Sequence, residues 1–122
     1  MPERAELRET IAGFDPRTQM VLGGMVMAMI AAPNEVTDRE WLSETLTRVA
    51  ARAHGCQELS PGPELERIRA WILEHRDRVL DAAFAVFVRS AEDLEGSGVG
   101  ELTPERAAAA ALVYLAPPPP GN

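Results

Sequence analysis

Lysine is absent from this 122-residue chain, and all twelve of its basic residues are Arg. Arg and Ala in such abundance are what a GC-rich coding sequence produces. The absence excludes Schiff-base catalysis through Lys and a phosphate loop of the Walker type. A single cysteine, Cys56, excludes an internal disulfide and gives no sign of an oxidising compartment. Serine is sparse, and none of Ser43, Ser60, Ser90 and Ser97 lies in a nucleophile-elbow context. No apolar run reaches the roughly 20 residues that a bilayer span takes. The longest, "MVLGGMVMAMIAA" from Met20 to Ala32, falls short, and the charged start "MPERAELRE" lacks the apolar stretch of a signal peptide. A cytoplasmic location is the default expectation. Net charge is −7 and the pI is about 4.8. That balance argues against nucleic acid as a main partner, because phosphate binding needs a clustered basic surface, and against anionic membranes.

What is present reads as helix. Apolar residues make up 46% and charged residues 25%, ordinary globular usage for a chain long enough to bury one modest core. Start and stop signals predict five helices in one compact all-α domain over 1–116, followed by a Pro-rich tail over 117–122. The first covers roughly 3–12 and ends at Gly13. The second opens at Asp15, a good N-cap, with Pro16 at the first helical position, and runs to Pro33. Its apolar residues go nearly all the way round, which predicts the buried central helix. Gly23 and Gly24 inside it predict either a close helix crossing or a kink. In the third, Thr37 and Glu40 form a capping box, with Val36 and Trp41 at the positions of a hydrophobic staple, and Gly55 ends the helix. A long fourth helix runs over about 64–91, its outer side carrying Glu64–Arg67, Glu66–Arg69 and Glu74–Arg78 pairs. The fifth starts with Thr103 as cap and Pro104 as first residue.

"NEVTDREW" and "GELTPERA" open the third and fifth helices alike, which predicts two pseudo-repeated helix–loop–helix units. Part of that echo is helix-start chemistry that any helix can use. No alternating strand pattern of convincing length is present.

Candidate chemistry is thin. The segment from Asp93 to Glu105 has the makings of a degenerate calcium loop, with Asp93, Glu95, Ser97, Glu101 and Glu105 as oxygen donors. An EF-hand loop has twelve residues and ends in a bidentate Glu. Here Pro104 stands at the twelfth place and Gly100 at the usual apolar anchor, so a solvated acidic loop is the alternative. His54, Cys56 and His75 offer at most three ligands where structural zinc takes four. His54 also suits a helix C-terminus, where the dipole favours a cation. His75 with Glu40 would serve as base and acid only if the fold joined them. The methionines Met20, Met25, Met27 and Met29 fit irregular core gaps and also adaptable binding surfaces.

The stretch from Val21 to Gly55 resembles the tellurite-resistance TerB-like helical domain. The run "APNEVTDRE" matches that family's loop at Ala32, Val36, Thr37 and Glu40, with Pro33 and Asn34 in place of its Asp and Gly. In "GVGELTPER", Leu102 and Thr103 match and Val99 replaces the Asp. The loop acid, taken in that family to be a metal ligand, is thus missing from both copies. The resemblance implies helical-hairpin architecture with internal pseudo-symmetry.

These observations lead to a non-catalytic binding module, acting by self-association or as an accessory subunit of a larger bacterial assembly. Trp41, Trp71, His75, Met25 and Met29 are expected to border its apolar contact surface, since Trp and Met are enriched at such surfaces. A protein partner or a second copy is expected, and no cofactor. One alternative is a regulator binding calcium or another divalent cation, either TerB-like or through the degenerate loop. A second is a small helical enzyme or cofactor-binding subunit centred on His75.

Overall fold

A computed structural model describes residues 2–56, 61–96 and 103–115, with side chains from residue 6 onward. Among them are five α-helices and no strand: α1 (Pro2–Ala12), α2 (Pro16–Ala31), α3 (Arg39–Ala53), α4 (Pro63–Gly96) and α5 (Pro104–Leu115). A single 3-10 turn, Pro33–Glu35, joins α2 to α3. The all-α expectation holds. The tail over 117–122 lies outside the described residues.

The local signals explain most boundaries. Asp15 is extended and Pro16 opens α2. The Asp15 carboxylate accepts from the Thr18 hydroxyl rather than from a backbone N–H of the first turn. Gln19 fastens the α1–α2 corner, its Nε2 donating to the carbonyls of Ile11 and Phe14 at 3.1 and 3.0 Å. Gly55 ends α3 at φ 76°, a left-handed conformation that glycine adopts without steric cost. Thr103 caps α5 as expected, its Oγ1 accepting from the Arg106 amide at 3.2 Å.

The start of α3 corrects the sequence reading. The N-cap is Asp38, whose carboxylate accepts from the amides of Glu40 and Trp41, so the Thr37–Glu40 box does not form. An ionised acceptor at a helix N-terminus also meets the positive end of the dipole, an advantage the Thr hydroxyl lacks. The cap thus moves one residue along, and Val36 and Trp41 leave the staple positions. Val36 is buried all the same.

Helix α2 is central. Val21, Leu22, Met25 and Val26 have no exposed surface, Met29 has 1%, and the helix packs against α3, α4 and α5. Gly24 is explained by the close crossing: a Cβ there would lie 2.6 Å from Val49 Cγ1 on α3. Gly23 faces open space. Helix α4 supplies Ile68, Val79, Ala83 and Val86 to the core, and α5 adds Ala111 and Tyr114. Of the expected surface pairs on α4, Glu66–Arg69 is present at 3.7 Å. Arg78 instead stands over the Phe14 ring, 5.0 Å from its centroid.

Candidate binding groove

The described residues leave one face of the central helix uncovered. Along α2, Met20, Gly24, Met27 and Ala31 recur at helical spacing on one side, and Trp41, Thr45, Val49 and Ala53 do so on α3. These two stripes line an open groove of about 620 Å³ between the helices. Measured along α3 from Trp41 to Arg52, it is about 16 Å long at 1.5 Å of rise per residue. Met20, 63% exposed, stands at one end, and Trp41, half-buried, at the other.

Two features of the lining bear on what the groove accepts. The first is Thr45, which is 7% exposed and has its Oγ1 buried without a hydrogen-bond partner among the described residues. Three other helical hydroxyls donate to the carbonyl four residues back: Thr10 to Glu6 at 2.9 Å, Thr47 to Ser43 at 2.9 Å and Ser90 to Val86 at 2.7 Å. Thr45 makes no such bond, and a buried hydroxyl left unpaired costs about 1–3 kcal/mol. The second is charge. Arg48 and Arg52 are the charged residues of the lining, one turn apart on α3, and neither has an ion-pair partner among the described residues. A chain of net charge −7 thus presents a locally cationic groove.

The expected contact residues divide accordingly. Trp41 lines the groove. Met25 and Met29 do not border any surface: they are fully buried, on the side of α2 that carries Val21, Leu22 and Val26. Four residues of α2 turn the helix by about 400°, so Met25 and Met29 share the inner face, while Met20 and Met27 fall on the groove side. Sequence reasoning weighed Met20 with the other methionines without choosing it as a contact residue, and passed over Thr45, Arg48 and Arg52. The signal that finds them is the matched spacing of small and apolar residues on two consecutive helices.

Trp71 and His75 form a separate group on α4. Their rings stack at 4.4 Å with 15° between planes, and His54, the C-cap of α3, makes an edge-on contact with Trp71 at 5.4 Å between ring centroids. Both histidines bond a carbonyl through Nδ1 at 2.8 Å, His54 to Ala50 and His75 to Trp71. A carbonyl only accepts, so Nδ1 carries a proton in both rings. Glu40 lies at the other end of α3 from His54, about 21 Å of helical rise away. Cys56 at this end donates to Glu64 Oε2 at 3.7 Å. The His54–Trp71 ring contact here packs the end of α3 against α4.

Three of the five candidate cation donors fall among the described residues. Ser97 and Glu101 lie outside the described residues. Asp93 and Glu95 belong to the last turns of α4, which continues to Gly96 beyond its expected end, and Glu105 sits in the first turn of α5. Asp93 accepts a 2.6 Å hydrogen bond from the Tyr114 hydroxyl, which ties α4 to α5. Among the described residues, no group of three or more His, Cys, Asp or Glu is placed to hold a metal ion. No helix of those residues is long and apolar enough to cross a membrane.

Comparison with known proteins finds no matching family model, no matching curated protein and no matching solved structure.

Proposed function

We propose that this chain is a non-catalytic binding module whose α2–α3 groove receives an apolar element of a partner chain, in self-association or as an accessory subunit. The observation that carries this reading is the open groove itself. A helix as apolar as α2 is ordinarily enclosed on all sides. Here it leaves a cleft walled by Met20, Met27, Val49 and Trp41, with a buried hydroxyl unpaired inside it. Met and Trp suit such a wall, the one for its adaptable shape and the other for its large apolar area. The two histidines support the same reading from the other side. Their Nδ1 protons are held by backbone carbonyls and their rings pack on Trp71, an arrangement that serves helix packing.

The test is Met20→Glu. Met20 is exposed and contributes little to the core, so the variant is expected to keep the wild-type thermal midpoint. On size separation of extracts from source cells cross-linked before lysis, wild type should run in an assembly well above its own 13.3 kDa mass, and Met20→Glu near that mass. Identical elution of the two folded proteins would count against the groove.

A further inference from the structure

We propose that the occupant of the groove is the outer face of α4 from a second copy of this chain, an inference that rests on the groove reading above. The outer face of α4 is apolar where a helix surface is usually polar. Leu73 is 76% exposed, Phe84 43% and Val88 36%, and the three stand on one stripe with Asp77 and Asp81 between them. From Leu73 to Val88 that stripe carries acids and no cation; Arg76 and Arg78 fall to its two sides. Arg78 is held over Phe14. Arg76 meets Asp77 at 3.5 Å in a pair whose side chains are 51% and 87% exposed, and such pairs are worth little and exchange freely.

The two surfaces match in three respects. Each is apolar: Met20, Met27 and Trp41 in the groove, Leu73, Phe84 and Val88 on the stripe. Each carries two charges one helical turn apart, about 6 Å along the axis, and the signs are opposite: Arg48 and Arg52 against Asp77 and Asp81. Each is long enough for the other, about 16 Å of groove against about 22 Å of stripe. They cannot meet within one molecule. The opposite side of α4 is buried in its own core through Ile68, Val79, Ala83 and Val86, so the stripe faces away.

A helix lying in a groove of that length buries a few hundred Å² per partner, roughly the low end for specific contacts, so association should be weak and concentration-dependent. The groove and stripe are different patches, so the contact is head-to-tail and each bound copy still offers one free half. Association therefore continues past the dimer unless it closes into a ring.

The deciding experiment is sedimentation equilibrium on purified full chains: wild type, Arg48→Glu/Arg52→Glu, Asp77→Arg/Asp81→Arg, and an equimolar mixture of the two variants. All four positions are exposed, so folding should survive, and a thermal melt verifies it. Wild type should associate at concentrations below about 1 mM, the weakest affinity expected of such a contact. Each reversed variant alone should associate at least about tenfold more weakly, because like charges then face each other. The mixture should recover association, since one variant supplies an acidic groove and the other a basic stripe. A monomeric wild type, variants that associate like wild type, or folded variants whose mixture stays monomeric would each overturn the second-copy contact. The groove reading has a separate fate: a monomeric wild type whose groove cross-links to a different protein retains the groove and loses only the second copy.

Discussion

The two sides of α2 each carry two methionines and do opposite things. Its inner side, with Val21, Leu22, Met25 and Met29, is sealed against the rest of the domain and leaves no more than 1% of any of these residues exposed. Its α3-facing side, with Met20, Gly24, Met27 and Ala31, borders an open cleft. Hydrophobicity is not the whole difference, since Met stands on both. The rest comes from phase along the helix, with Gly24 at the point where α2 and α3 approach. Apolar character alone therefore does not distinguish core from contact surface; what covers each face does.

Substitutions at the methionines break this comparison most sharply. Met25→Ala is expected to destabilise by about 2–5 kcal/mol, because it empties part of a closed core. Met20→Ala should stay within about 0.5 kcal/mol, as exposed positions do. Chemical denaturation of both measures the gap, and equal losses would mean that the outer face is as much core as the inner one.

The glycines sharpen it next. Gly24→Ala should cost about 1–3 kcal/mol, since the added methyl meets the stiff, β-branched Val49. Gly23→Ala meets nothing and should gain up to about 1 kcal/mol from helix propensity. Opposite signs at adjacent positions in thermal melts are the expected outcome.

Inside the cleft, Thr45→Val exchanges an unpaired buried hydroxyl for a methyl of similar shape. It should stabilise the isolated chain by about 1 kcal/mol. A loss of stability would show that the hydroxyl has a partner after all.

The smallest effect concerns the entrance to α2. The Thr18 hydroxyl bonded to Asp15 holds its carboxyl below the ordinary carboxylate range. A depressed folded-state pKa contributes stability above the unfolded value, and that contribution is lost as pH falls through the folded one. Asp15 is exposed, so the contribution is small. The stability difference between wild type and Asp15→Asn should therefore be slight at neutral pH and vanish below the carboxylate range.

Much of the fold was legible because its punctuation is local. Pro16, Gly13, Gly55 and the Thr103–Pro104 pair mark helix ends through backbone chemistry that neighbouring residues settle. What failed depends on choices between close competitors or on distant contacts. Asp38 displaced Thr37 as the cap of α3 because both acceptors stand within one residue and only one is charged. Helix α4 runs past Ala91 to Gly96 in a stretch where Asp93 is bonded by Tyr114, a contact 21 residues away that no local pattern announces. The groove was half legible. Trp41 was found by its type, whereas Met20 and Met27 were separable from Met25 and Met29 only once the phase of α2 against its neighbours was fixed. Thr45 becomes notable only through the bond it does not make.

The central claim is that the cleft between α2 and α3 is a contact surface. It is tested most directly by placing a photo-cross-linking amino acid at Met20, at the open end of the groove, and at Ala12, exposed on α1 outside it, and irradiating cells of the source organism. The account predicts a defined cross-linked product from position 20, with a peptide of α4 from another copy as the attached segment, and none from position 12. Equal products from both positions, or none from either, would contradict it.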